Sequence, residues 1–258
     1  SNHFQGIAPQ NGVIAITGLI SASADDWWCA SFQESGPAPA RVTGVFGTGT
    51  YDHAGGIQRL GDLLPMPLEK GDLATVAFYD VSNPDPSGPI YEIHMDNSKA
   101  SAVAITNYHD SVLGHVALLF VYRYEPRRFK VYRCPIDQVA SNGWEYVGET
   151  YDIVGDDQFQ CFSLVTQENQ DGDTVYDTVY LVGFRQNEEL WIWSVDLIPI
   201  RNYAPLEWVS TMPDWKGSQW RYGVGLQISN PNLMRIFGCS EDPSGDRDDY
   251  EFPIYYWG

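Results

Sequence analysis

His53-Ala54-Gly55-Gly56-Ile57 sets three small residues between a polar residue and a branched apolar one. The same order of polar or aromatic, small, then apolar returns four times along the chain. The copies are His3-Phe4-Gln5-Gly6-Ile7, Lys99-Ala100-Ser101-Ala102-Val103, Gln158-Phe159-Gln160-Cys161-Phe162 and Trp220-Arg221-Tyr222-Gly223-Val224. Their small residues lie at 6, 56, 102, 161 and 223, with gaps of 50, 46, 59 and 62. A recurrence near 50 residues belongs to architectures whose unit is one small sheet. Small residues suit a strand crowded against its counterparts in the other units, where a branched side chain would clash.

Working outward, each copy is followed by a second strand, a short polar loop and a third, aromatic-rich strand. The third strands are Trp27-Trp28-Cys29, Val76 to Val81, Phe129 to Tyr132, Trp191 to Trp193 and Pro253 to Trp257. Fourth strands are expected at 41–46, 89–94, 145–151 and 206–212. Gly, Pro, Asn or Asp bounds these short β-branched or aromatic runs, and nothing repeats at helical spacing over three turns. The reading is an all-β chain: a five-bladed β-propeller of mostly four-stranded antiparallel blades around a central channel. It forms one domain over 1–258, with blades at 3–52, 53–98, 99–156, 157–218 and 219–258. The fifth blade has three strands, so ring closure is expected from side-chain packing between blades 1 and 5. A two-sheet sandwich is the alternative, but it gives no reason for the period.

Composition excludes several classes. The 258 residues include 15 basic and 34 acidic side chains, a net charge of −19. Such a surface repels phosphate backbones and anionic headgroups, so neither nucleic acid nor membrane is an expected partner. No apolar run approaches the roughly 18 residues of a membrane span. Nine Trp, 16 Tyr and 11 Phe supply ample core. Cys29, Cys134, Cys161 and Cys239 show no Cys-x-x-Cys spacing and read as buried free thiols. Only four Lys stand against 11 Arg, a balance that leans towards a secreted or periplasmic protein, although no Asn-x-Ser/Thr acceptor supports it. The start, Ser1-Asn2-His3-Phe4, has no initiator Met, basic stretch or apolar stretch, and Ser1-Asn2 is left out of the fold reasoning.

Blade 2 continues through Gly61-Asp62 to Val76-Ala77-Phe78-Tyr79-Asp80-Val81-Ser82-Asn83-Pro84. This stretch resembles the LVIVD repeat of bacterial, largely exported β-propellers, in which an apolar strand ends in Asp-Val-Ser-x-Pro. The likeness covers about a fifth of the chain, with a remnant at Ser194-Val195-Asp196-Leu197. It implies the propeller fold and export, but no activity, because LVIVD proteins share none.

Propeller topology puts the starts of the inner strands and the loops between second and third strands on one face. His3, His53, Lys99, Gln158 and Trp220 therefore ring a channel mouth. Gln5, Ser101, Gln160 and Tyr222 lie two residues inward with the same side-chain direction. The loops on this face are 23–26, 69–72, 125–128, 187–189 and 241–251. His3 and His53 occupy equivalent positions on neighbouring blades. With Asp52 they are the catalytic candidates, for general acid–base work or for a divalent metal held with Gln5. The competing reading has both imidazoles merely bonding strand ends and channel water. Gln5, Lys99, Gln158, Gln160, Trp220, Tyr222 and Arg127 are the ligand-binding candidates, Arg127 as a clamp for an anionic group. His109 and Asp110 belong on the opposite face.

Asp171 and Asp173, and Asp246 and Asp248, alternate along acidic loops as calcium ligands do, but neither loop has EF-hand spacing and solvated loops are the simpler reading. No resident cofactor is expected; if a metal binds, calcium or zinc is anticipated. Gly44-Val45-Phe46-Gly47-Thr48-Gly49-Thr50 lacks the Walker Lys-Ser/Thr and the third Rossmann glycine, so it is no phosphate loop. No Gly-x-Ser-x-Gly elbow or His-Glu-x-x-His pair occurs. The expectation is a binding propeller that presents an aromatic and acidic face to a small polar ligand, a glycan or a protein. The alternative is a hydrolase- or lyase-type enzyme with a His/carboxylate site at the mouth.

Overall fold

The computed structural model describes residues 3–10, 12–19, 26–33, 45–48, 51, 53–82, 88–95, 99–110, 112–150, 153, 159–172, 174–185, 189–196, 202–204, 206–212, 223–230, 233–239 and 254–257. Sheet 1 runs β1 (His3–Gln10), β2 (Val13–Leu19), β3 (Asp26–Gln33), β4 (Val45–Thr48). Sheet 2 runs β5 (His53–Ala54), β6 (Leu63–Lys70), β7 (Leu73–Asp80), β8 (Tyr91–Met95). Sheet 3 has β9 (Ala102–Asp110), β10 (Gly114–Arg123), β11 (Arg128–Pro135) and β12 (Glu145–Thr150). In sheet 4, β13 (Phe159–Asp171), β14 (Thr174–Arg185) and β15 (Leu190–Val195) are followed by β17 (Leu206–Met212). Between these last two, β16 (Asn202–Ala204) leaves its own sheet and pairs in parallel with β12. Sheet 5 has three strands, β18 (Val224–Asn230), β19 (Leu233–Cys239) and β20 (Ile254–Trp257).

The arrangement is all-β and propeller-like. The one helical element among the described residues is a 3₁₀ turn at Ile136–Gln138. Among the described residues no helix is long and apolar enough to cross a membrane. The strand β17 matches its expected span, β8 and β12 overlap theirs, β4 is described only at Val45–Thr48 against an expected 41–46, and β18 begins at Val224, the last residue of the fifth copy. The β16 excursion was not foreseen, because three residues carry no readable period.

Sheets 2, 3 and 4 are each packed between their chain neighbours, and this explains the unbroken apolar run of β10. Val116, Leu118, Phe120 and Tyr122 face sheet 4, against Phe162, Leu164, Val179 and Leu181. Leu119 and Val121 point the other way, against Val76, Phe78 and Ile93 of sheet 2. A strand with both faces covered needs no polar alternation. Sheets 1 and 2 meet through Ala8, Trp27 and Cys29 against Leu64, Met66 and Tyr79. Sheets 4 and 5 meet through Val182, Phe184 and Leu190 against Val224, Leu226 and Ile236. Each large side chain so covered contributes roughly 1.5–3 kcal/mol.

The inner strands approach too closely for ordinary side chains. A Cβ on Gly6 would lie 2.9 Å from Gly56 Cα and 2.6 Å from Ile57 N. One on Gly55 would lie 2.0 Å from the Ser101 carbonyl oxygen. Gly56 forms a parallel bridge to Ala102, donating to Ser101 O and accepting from Val103 N–H. Cys161 donates its thiol to Gln5 O at 3.3 Å and accepts from Val224 N–H at 3.4 Å. In the last copy the close approach falls two residues beyond Gly223. It is Gly225 whose Cβ would meet Ile7 O at 2.1 Å.

Candidate functional site at the ends of the inner strands

Where the inner strands begin, Gln5, His53, Glu69, Lys99, Ser101, Tyr122, Tyr124 and Phe159 line a cavity of about 160 Å³. Four of these, Gln5, His53, Lys99 and Ser101, belong to the two rings read from the repeat.

His53 opens β5 and is the direct cross-strand partner of Glu69 at the end of β6. Directly opposed residues project to one face. His53 Nδ1 lies 3.2 Å from Glu69 Oε1. This is an ion-pair distance without hydrogen-bond alignment, since Nδ1 is buried and has no aligned acceptor. The other carboxylate oxygen accepts from Ala100 N–H at 3.3 Å. Burial raises the Glu69 carboxyl, but His53, the Ala100 amide and the Lys99 charge together outweigh it and hold the group below its usual range. Glu69 is therefore an anion at neutral pH, with the Lys99 charge beside it.

Tyr122 ends the buried run of β10, and its ring packs on Phe162 with centroids 4.7 Å apart. Burial pushes its hydroxyl up to about 12, the nearby Arg127 charge pulling the other way and Tyr124 adding to the rise. The hydroxyl stays protonated and is suited to hydrogen bonding rather than to proton abstraction. Phe159 caps the aromatic cluster below the cavity, 5.5 Å from Phe162 and 5.6 Å from Trp193. The cavity lining thus combines aromatic rings with hydrogen-bonding groups.

The carboxylate beside the His53 ring is Glu69, reached across the strand pair. Asp52 itself lies outside the described residues. So do Gln158, Trp220, Tyr222, Asp173, Asp246 and Asp248. His3 and Gln160 lie in β1 and β13, and only their backbones are described. Arg127 sits in the β10–β11 turn, where its charge acts on Tyr122 and its carbonyl accepts from Ile153 N–H. Asp171 is exposed at the β13–β14 hairpin end, and no cluster of three or more metal-ligating side chains occurs among the described residues. Cys29, Cys134 and Cys161 are free and buried. Burial holds Cys29 and Cys161 up to about 12, eased at Cys161 by Val224 N–H, and raises Cys134, with Asp137 adding, to about 11. These are inert thiols.

Sequence reading missed Gln58. Its side-chain oxygen accepts from Ile105 N–H at 2.9 Å and Leu164 N–H at 2.7 Å, while its nitrogen donates to Leu164 O at 2.9 Å. One amide thus ties the inner strands of sheets 2, 3 and 4. Gln58 lies five residues beyond His53, and nothing in the repeat marks it.

Neither a family model nor a curated protein sequence matches the chain. The LVIVD resemblance therefore rests on its own residues alone. Among solved structures, a GH62 hydrolase in complex with xylotriose is similar, at 11% identity with a TM-score of 0.53, covering 99% of this chain and 90% of that one. The SapL1 lectin in complex with alpha methyl fucoside is 11% identical, with a TM-score of 0.46 over 98% of this chain and 76% of that one. The catalytic domain of Coprinopsis cinerea GH62 alpha-L-arabinofuranosidase is 13% identical, with a TM-score of 0.46 over 98% and 89%. At such identities the first of these shows the fold, and only the fold.

Proposed function

We propose that the five sheets are the five blades of one propeller and that its mouth cavity binds a neutral carbohydrate unit. The observation that carries this is the charge state of the cavity. Its one acidic side chain among the described lining, Glu69, is held as an anion by His53 and Lys99. Such a site presents fixed hydrogen-bonding groups with little net charge, which suits hydroxyls better than ions. Tyr124 offers ring surface for the apolar face of a sugar, and Phe159 is a buried part of the lining. At about 160 Å³ the cavity is below the roughly 300–1,000 Å³ of drug-sized sites, so one sugar unit would enter with the rest of the chain outside. The hydrolase that shares the fold was solved with xylotriose, which gives a first ligand to try.

A hydrolase is the second reading, favoured by one observation: His53 Nδ1 lies 3.2 Å from a carboxylate, the kind of neighbour that positions a general base, although the two are not aligned as a hydrogen bond. Against it, glycoside hydrolysis ordinarily needs a protonated carboxyl and a second carboxylate, and Glu69 supplies neither the proton nor the pair. Ser101 lines the same cavity, yet no hydrogen bond joins it to His53 among the described residues.

The test is a glycan array followed by calorimetric titration of the best hit. Lys99→Ala and Gln5→Ala are expected to weaken binding by about tenfold each, roughly the loss of one hydrogen bond to a charged or polar group. Trp220→Ala asks whether the segment preceding β18 also contributes a stacking ring. Binding without release of reducing ends supports the lectin-like reading, and turnover abolished by His53→Ala supports the hydrolase. A flat array together with unchanged calorimetry overturns both.

A further inference from the structure

On the opposite ends of the same strands, β9 and β10 place His109 directly across from His115. Opposed residues of an antiparallel pair share a face, so the two imidazoles stand side by side. Both are exposed, their ring centroids are 5.2 Å apart, and the ring planes are inclined at 74°. Two rings ligating one tetrahedral zinc have a defined separation. With a metal–nitrogen bond of about 2.0–2.1 Å and about 1.1 Å from nitrogen to ring centre, each centroid lies about 3.2 Å from the metal, and the two are about 5.1 Å apart. The observed centroid spacing matches that of two rings on one ion.

The surroundings favour a cation. Asp177 of β14 reaches across from sheet 4, its carboxylate accepting from His109 N–H at 2.5 Å. Asp110 follows in the same strand, where its carboxylate holds the turn through Val112 and Leu113 N–H. Arg133 lies within electrostatic range of Asp110, but it is engaged by Glu145 at 2.9 Å. The carboxylates act here by charge; the two imidazoles are the ligands.

We propose that His109 and His115 form a surface site for a borderline divalent ion of the zinc class, with water filling the remaining coordination positions. Imidazole nitrogens select zinc, copper or nickel over calcium and magnesium, which prefer oxygen. The site lies at the other end of the strands from the cavity, so it is independent of the carbohydrate reading and survives that reading's failure.

The test is calorimetric titration of the tag-free chain with zinc chloride in a non-chelating buffer. It uses a His3→Ala/His53→Ala background, so that the mouth imidazoles contribute nothing. One zinc per chain is expected, and no calcium. His109→Ala and His115→Ala should each lower zinc affinity by roughly tenfold or more, since even loss of an outer-shell partner costs 10–100-fold. Zinc should raise the melting temperature of the background protein and not of either variant. Glutamine in place of either histidine, which keeps the polar surface, should behave as alanine does. Absent zinc binding in the background, or binding that all four variants retain, overturns the proposal.

Discussion

Glu69 is the residue on which the mouth depends, and its charge can be read out through stability. Its folded carboxyl lies below the ordinary range, so the contribution is present above about pH 4.3 and is lost as pH falls through the folded value. The melting temperature of the native chain should therefore drop more steeply below about pH 4.3 than that of Glu69→Gln, whose amide cannot titrate there. At neutral pH the variant should be less stable by about 1 kcal/mol, the scale of a partly exposed pair. A fluorimetric melt series across pH 3–7 decides it, and parallel curves would mean that His53 and Lys99 gain nothing from the carboxylate. The residue was half legible in the sequence. The 69–72 loop was on the expected face, but chain adjacency drew attention to Asp52. Cross-strand neighbours are set by register, and a two-residue strand such as β5 gives too little pattern to fix register in advance.

At the level of elements, the inner strands were the most legible part of the chain because close approach leaves a compositional trace. Gly6, Gly56, Ala102 and Cys161 were read from spacing, and all four lie where neighbouring backbones or polar atoms crowd them. The trace fails where the tight position slides along its strand, as from Gly223 to Gly225, since glycines two apart look alike in sequence. Gly55→Ala is expected to destabilise by about 1–3 kcal/mol, because its Cβ would fall on the Ser101 carbonyl and one strand must move. Gly88→Ala, in open space and without a positive φ, should stay within about 0.5 kcal/mol. Urea denaturation of both variants checks the pair; equal effects would mean that the strands relax freely. Gln58→Ala should cost more than a typical surface change, about 1–3 kcal/mol for each amide left without its acceptor, with Ile105 and Leu164 both affected. Hydrogen-bonded pins of this kind leave no periodic signal, which is why the repeat did not reveal it.

For the whole molecule, the order of sheets has a consequence for how it opens. Apolar clusters join sheet 1 to 2, 2 to 3, 3 to 4 and 4 to 5. Among the described residues no such cluster joins sheet 5 to sheet 1. What meets there is backbone against backbone, Gly225 on Ile7 O, with the Cys161 thiol bonded between Gln5 and Val224. Among the described residues this seam has the least apolar packing, so in the proposed ring it should open below the global unfolding free energy. Native-state hydrogen exchange should then show β1 and β18 amides exchanging through a subglobal opening. Amides of Val116–Tyr122 in β10, covered on both faces, should exchange only on global unfolding. Gly225→Ala should speed exchange in β1 and β18 by tenfold or more, about 1.4 kcal/mol of opening free energy, by forcing the two backbones apart. The same substitution should leave the difference between β10 and global unfolding unchanged. If β1, β18 and β10 exchange together in both proteins, the seam is as strong as the other four contacts. Its strength would then lie in contacts beyond those formed by Gly225, Ile7 and Cys161.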